Sequence, residues 1–145
     1  MNRQDEPDER HKRPPGCSDA TVAAVGKLSE ALETVERARG HLYEFHQLMG
    51  GADLTLSEAV GELRDAGHDD QAGELQRELV GRNVLPGRWT FQVVEEFDDN
   101  YWSVFRAHEA AVRDALVAGR RHLFEAEMKE DRRSDGHQGH DAVPH

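Results

Sequence analysis

Isoleucine is absent from this chain of 145 residues, cysteine occurs once, and lysine supplies only 3 of the 18 basic side chains. Each shortage excludes something. Cys17 alone closes no internal disulfide and rules out a Cys-rich metal motif. No run approaches the roughly 18–20 apolar residues of a membrane span. The opening stretch, Met1 to Gly16, is charged and contains prolines without an apolar core, unlike a Sec signal peptide. A cytoplasmic location follows as the expectation. Basic residues are outnumbered 29 to 18, for a formal charge of −11, the wrong sign for binding nucleic-acid phosphates. Nucleophile elbows and Gly-rich phosphate loops are missing as well: Gly81-Arg82 and Pro86-Gly87-Arg88 lack the required spacing. The preference for Arg over Lys, with Val and Ala in place of Ile, reads as the coding bias of a GC-rich genome.

Strong core formers are scarce too. Leu, Val and Phe make up 29 of the 145 residues, which sits near the roughly 20% below which a charged chain tends to stay disordered. Their distribution matters more than their number. Residues 1–19 hold none of them, and residues 132–145 hold only Val143. Both stretches are expected to be disordered tails, the second carrying His137, His140 and His145. The remaining 20–131 hold 28 core formers, with 22 acids against 12 bases, and are expected to form one folded acidic domain.

Periodicity within that domain is helical. Val25, Leu28, Leu32, Val35, Ala38, Leu42, Phe45 and Met49 recur at spacings of three and four, which predicts a long helix capped by Ser18 or Asp19 and ending at Gly50-Gly51. Thr55-Leu56-Ser57-Glu58 has the form of a capping box, so a short second helix is expected up to Gly67. A third, opened by Asp69 or Asp70, buries Ala72, Leu75 and Leu79 and ends near Gly81. Leu85-Pro86-Gly87 signals a turn. Beyond it Trp89, Phe91 and Val93 alternate as in a strand, but a lone strand has no partner. A long last helix from about Thr90 to Glu130 is therefore expected, with a break at Asp98-Asp99-Asn100 and an apolar stripe through Val94, Phe97, Tyr101, Phe105, His108, Val112, Leu116 and Leu123. The fold class is all-α: a small helical bundle of two long helices bridged by a short helical pair. Two short helices cannot cover the stripes of two long ones, so a homodimer that closes the core is expected.

Two groups of residues offer chemistry. Six of the nine aromatics fall between residues 89 and 105, interleaved with acids. Arg88, Trp89, Phe91, Glu95, Glu96, Asp98, Asp99, Tyr101, Trp102 and Arg106 form a candidate recognition segment, since Trp, Tyr and Arg are the usual interface anchors. Its partner is expected to be a second copy of the chain, a basic protein or a cationic ligand held by aromatic walls. The second group is histidine-based. His41-Leu42-Tyr43-Glu44 and His122-Leu123-Phe124-Glu125 are near copies that set imidazole and carboxylate on one helix face, and His46 and His108 lie near the stripes. His41, Glu44, His46, His108, His122 and Glu125 are the alternative site, for a divalent transition metal in a helical-bundle enzyme or sensor. Against it, His precedes Glu, the reverse of carboxylate–histidine di-metal bundles. The leading expectation is a non-enzymatic, self-associating interaction module without a cofactor.

Overall fold

The structure, a computed structural model, describes residues 5–143. Ser18 opens the first helix by accepting the Thr21 N–H at Oγ, 3.1 Å away. Helix α1 then runs from Asp19 to Asp65. It continues through Gly50-Gly51, where the sequence suggested an end, and Thr55 shows why. Its hydroxyl donates back to the Gly51 carbonyl at 3.1 Å instead of capping a new helix, so the apparent capping box is spent inside a continuous one. Two glycines cost a helix about 1 kcal/mol each relative to alanine, which lowers its stability without forcing a stop. Gly67, at φ +87, closes the run, and α2 follows over Asp69–Glu78.

The Leu85–Arg88 turn forms as its residues predict, with Arg88 N–H donating to Leu85 O at 3.0 Å and Gly87 at φ +72. Helix α3 then spans Thr90–Phe97, its start tied by Trp89 N–H donating to Gln92 Oε1 at 3.0 Å. Among the described residues there is no strand, so the alternation at residues 89–93 belongs to a helix start. Asp98–Trp102 form a π-turn that leads directly into α4, Ser103–Val117. The expected break at Asp98-Asp99-Asn100 is thus a widened turn, and the real break lies at residues 118–122. There Ala118, Gly119 and His122 take positive φ values before α5, Leu123–Arg132. The all-α fold class is correct; the division into helices differs from the expected one.

A π-turn inserts one residue into a helix and moves every later position around the axis. The predicted stripe moves in part: Phe105 and Val112 stay half-buried, while three of its members turn outward. Trp102 is half-buried while Tyr101 is exposed, Glu109 is buried while His108 is exposed, and Val117 is buried while Leu116 is exposed. His108 is therefore on the surface and not on the buried stripe.

The chain forms two compact units, one of residues up to Thr34 with those from Val104 onward, the other Val35–Ser103. The first is centred on Val22, Val25, Val117 and Leu123, with Cys17 and Val112 against them. Buried Glu109 joins this unit, accepting from Ser29 Oγ at 3.1 Å and Arg113 Nε at 3.0 Å, while Arg113 Nη1 donates to Gly119 O at 2.7 Å. That last bond closes the C-terminal end of α4 onto the chain reversal. In the second unit the buried apolar side chains are Val60, Ala72 and Val94. The stretches read from composition as tails carry specific links within the first unit. Arg13 forks onto Glu127 at 2.8 Å through both Nε and Nη2. The Arg133 side chain, almost wholly buried, meets Glu130 at 2.6 Å and Asp5 at 3.1 Å.

Two glycine substitutions test this fold. Gly51 sits inside α1 with open space where a Cβ would go, so Gly51→Ala should raise stability by up to about 1 kcal/mol. Gly119 is at φ +72, and its Cβ would meet Asp114 Oδ1 at 2.6 Å. Gly119→Ala should therefore cost at least about 1 kcal/mol. Thermal unfolding followed by circular dichroism reads both; destabilisation by Gly51→Ala would restore the helix end at Gly50-Gly51.

Candidate functional site

In the second unit two members of the aromatic–acidic segment, Asp98 and Trp102, close on one cation, and that cation belongs to the chain. Arg39 projects from α1, Nε and Nη2 donating to the two carboxylate oxygens of Asp98 at 2.7 and 2.9 Å. Its guanidinium carbon lies 4.0 Å from the centre of the Trp102 ring and 4.8 Å from that of Tyr43. This is the acid-and-aromatic cage that the composition suggested for a cationic ligand. The forked hydrogen bond from Arg39 holds the Asp98 carboxyl below its ordinary range, and the carboxylate in turn raises the Arg39 pKa. Asp98 is the first residue of the π-turn, so the clamp sits where the helix changes register.

Of the other acids, Glu96 pairs with Arg88 at 2.9 Å. Glu95 and Asp99 remain exposed, and neither has an ion pair among the described residues. Phe97 stacks on Tyr101 with ring centres 5.7 Å apart, and Trp89 meets Phe91 edge-on at 5.4 Å. Trp89, Phe91 and Tyr101 nonetheless stay exposed. Arg106 lies beyond this unit, on α4.

Beside the aromatic segment, and within the same unit, an open groove of about 600 Å³ runs along α1, a volume in the range of ligand and side-chain pockets. Met49, Leu56, Leu79, Val84 and Trp89 make its walls, and Gly50 and Ala52 leave it room. Asp53, at its edge, accepts the Gly81 N–H at 2.9 Å and fixes the loop after α2. His46 Nδ1 lies 2.7 Å from Thr90 Oγ1, tying α1 to the start of α3. Large apolar residues of the same unit stand in the open: Leu48 is 64% exposed, Leu54 70% and Trp89 57%.

The histidine candidates separate. His41 and Glu44 are exposed on α1, and His46 is engaged with Thr90. In the first unit His122 and Glu125 do come together, joined by Glu33 from α1, a residue the sequence reading did not select. His122 Nδ1 is 4.0 Å from Glu33 Oε1 and 3.9 Å from Glu125 Oε2. His122 precedes α5 in a left-handed conformation, so the resemblance of the two His-x-x-Glu stretches ends at the sequence. Also missed were Arg39 and the groove. Tyr43, one helical turn after Arg39, was the signal available for the first; the groove had none, because it depends on α1 continuing past Gly50-Gly51.

The chain matches no protein family, no curated protein and no solved structure.

The Arg39–Asp98 clamp has a pH signature. A carboxyl whose pKa is lowered on folding adds stability that is complete above its unfolded value and lost as pH falls through the folded one. Stability should thus fall below about pH 4, and the fall should be shallower in Asp98→Asn, which should also cost about 1–3 kcal/mol at neutral pH. Urea unfolding across that range measures both. Parallel pH profiles of the two proteins would show that the clamp contributes nothing.

Proposed function

We propose that this chain is a cytosolic helical interaction module that self-associates, a second copy covering the apolar surface of the Val35–Ser103 unit. The observation that carries the reading is the large apolar surface this unit leaves open at Leu48, Leu54 and Trp89; exposed apolar surface of this kind marks interaction sites.

The exposed side chains support the same occupant. Phe45, Met49, Ala52 and Leu56 follow helical spacing on α1, and the last three border the groove. Leu48, Leu54, Leu79, Leu85, Trp89, Phe91 and Tyr101 add large apolar surface in the same unit. Self-association buries these groups without asking the cage to accept a ligand, since Arg39 already fills it. A basic partner has less to hold, because Asp98 and Glu96 are paired within the chain. Trp89 and Phe91, at the start of α3, are the anchors expected to enter the partner copy, with the exposed acids Glu95 and Asp99 toward the rim.

Light scattering coupled to gel filtration, at about 10 µM chain, should give twice the monomer mass. Leu48→Glu, which sets a charge on an exposed apolar position, should shift the protein toward monomer by about tenfold or more in dissociation constant with helicity retained. A monomer for the unaltered chain would overturn the proposal.

A further inference from the structure

We infer that Glu33, His122 and Glu125 form a binding site for a divalent transition metal of the zinc class. The site lies within the first unit and stands or falls independently of self-association. Three donor atoms, one ring nitrogen and two carboxylate oxygens, lie within 4.8 Å of one another. The nitrogen is 4.0 and 3.9 Å from its two carboxylate neighbours, too far for a direct hydrogen bond. Those separations do fit a shared ion. Ligands about 2.0–2.2 Å from a metal stand at most about 4.4 Å apart, and about 3.4 Å apart in a tetrahedron. Rotation of an exposed carboxylate closes the remaining gap.

Charge points the same way. The ion pairs of Glu33 and Glu125 run to His122 alone among the described residues. Two carboxylates therefore converge on one imidazole, with no Lys or Arg paired to either among the described residues. Arg120, two residues before His122, is turned elsewhere: its Nη1 donates to Lys12 O at 2.6 Å. The N-terminal end of α5 opposes a cation with about half a charge, less than the two carboxylates supply. Mixed nitrogen and oxygen donors select a zinc-like ion over magnesium or calcium, which prefer oxygen alone. Three protein ligands leave a coordination position open to solvent.

The local fold presents this set. The positive φ at Gly119 and His122 turns the chain back after α4. His122 is thereby placed just before α5, with Glu125 in the first turn of that helix and Glu33 arriving from α1. All three side chains remain accessible, at 53%, 58% and 43% exposure for Glu33, His122 and Glu125.

Calorimetric titration of the full chain with Zn²⁺, with His137, His140 and His145 replaced by Gln to remove competing imidazoles, should show one site per chain. His122→Asn keeps a residue tolerant of the left-handed backbone while removing the imidazole, and Glu125→Gln removes one anionic ligand. Each should weaken Zn²⁺ binding about tenfold or more with helicity unchanged. Histidine-selective nitrogen NMR should show Zn²⁺ shifting His122 Nδ1 while Mg²⁺ leaves it in place. Glu33→Gln, on the exposed face of α1, provides a third variant should either of the others fail to fold. Zn²⁺ binding of equal strength in the folded variants, or no binding at about 100 µM Zn²⁺, would overturn the assignment.

Discussion

Arg39 holds Asp98 in a forked ion pair at the point where the last long helical run acquires an extra residue. An inserted residue shifts the positions that follow around the helix axis. Without a π-turn, the spacing of Tyr101, Phe105, His108, Val112 and Leu116 would turn one continuous stripe inward. With it, Trp102 packs beneath Arg39, and further along Glu109 and Val117 are the buried residues. Tyr101, Val104 and Leu116 are the large apolar groups left exposed along this run.

The shortage of core formers shapes the rest. Each unit buries only a few apolar side chains, mostly valines. Valine carries less buried area than leucine or phenylalanine, so these centres are thin. Burying Glu109 is tolerable in the first unit because Ser29 and Arg113 satisfy its oxygens and Arg113 then reaches Gly119. The pair connects α1, α4 and the chain reversal where apolar packing is sparse. An unpartnered carboxylate there would carry a large desolvation cost.

The sequence made the helical class legible, because three-and-four spacing survives in nearly every segment. Ser18 as a cap, the turn at Pro86-Gly87 and the start of α2 near Asp69 were readable from local chemistry, since each rests on neighbours within a few residues. Gly50-Gly51 and Thr55 misled for the converse reason: a helix end and a weakened helix interior share the same local signals, and only tertiary contacts choose between them. The π-turn was visible only as poor helix formers at residues 98–100; Arg39, which pairs with its first residue, lies 59 positions away. The candidate site was half legible. Its aromatic and acidic members were evident from clustering, while Arg39 and Glu33 come from α1 and carry no mark that sets them apart from other charged residues on a helix.

Arginine usage illustrates how composition and geometry divide the work. A chain-wide excess of Arg over Lys makes no single arginine informative. Placement does: Arg13, Arg39, Arg113 and Arg133 each set a forked guanidinium on a carboxylate. Arg13, Arg39 and Arg133 also bridge segments far apart in sequence. The lysine pairs among the described residues, Lys12 with Glu6 and Glu9 and Lys27 with Glu30, are local, exposed and 3.3–3.4 Å long. Guanidinium geometry is suited to that bridging, because one planar group satisfies two oxygens with little further loss of freedom. A coding bias can supply the arginines. Where a carboxylate stands opposite on another segment, it also lets a chain poor in apolar residues hold its segments together with polar contacts, leaving apolar surface on the outside.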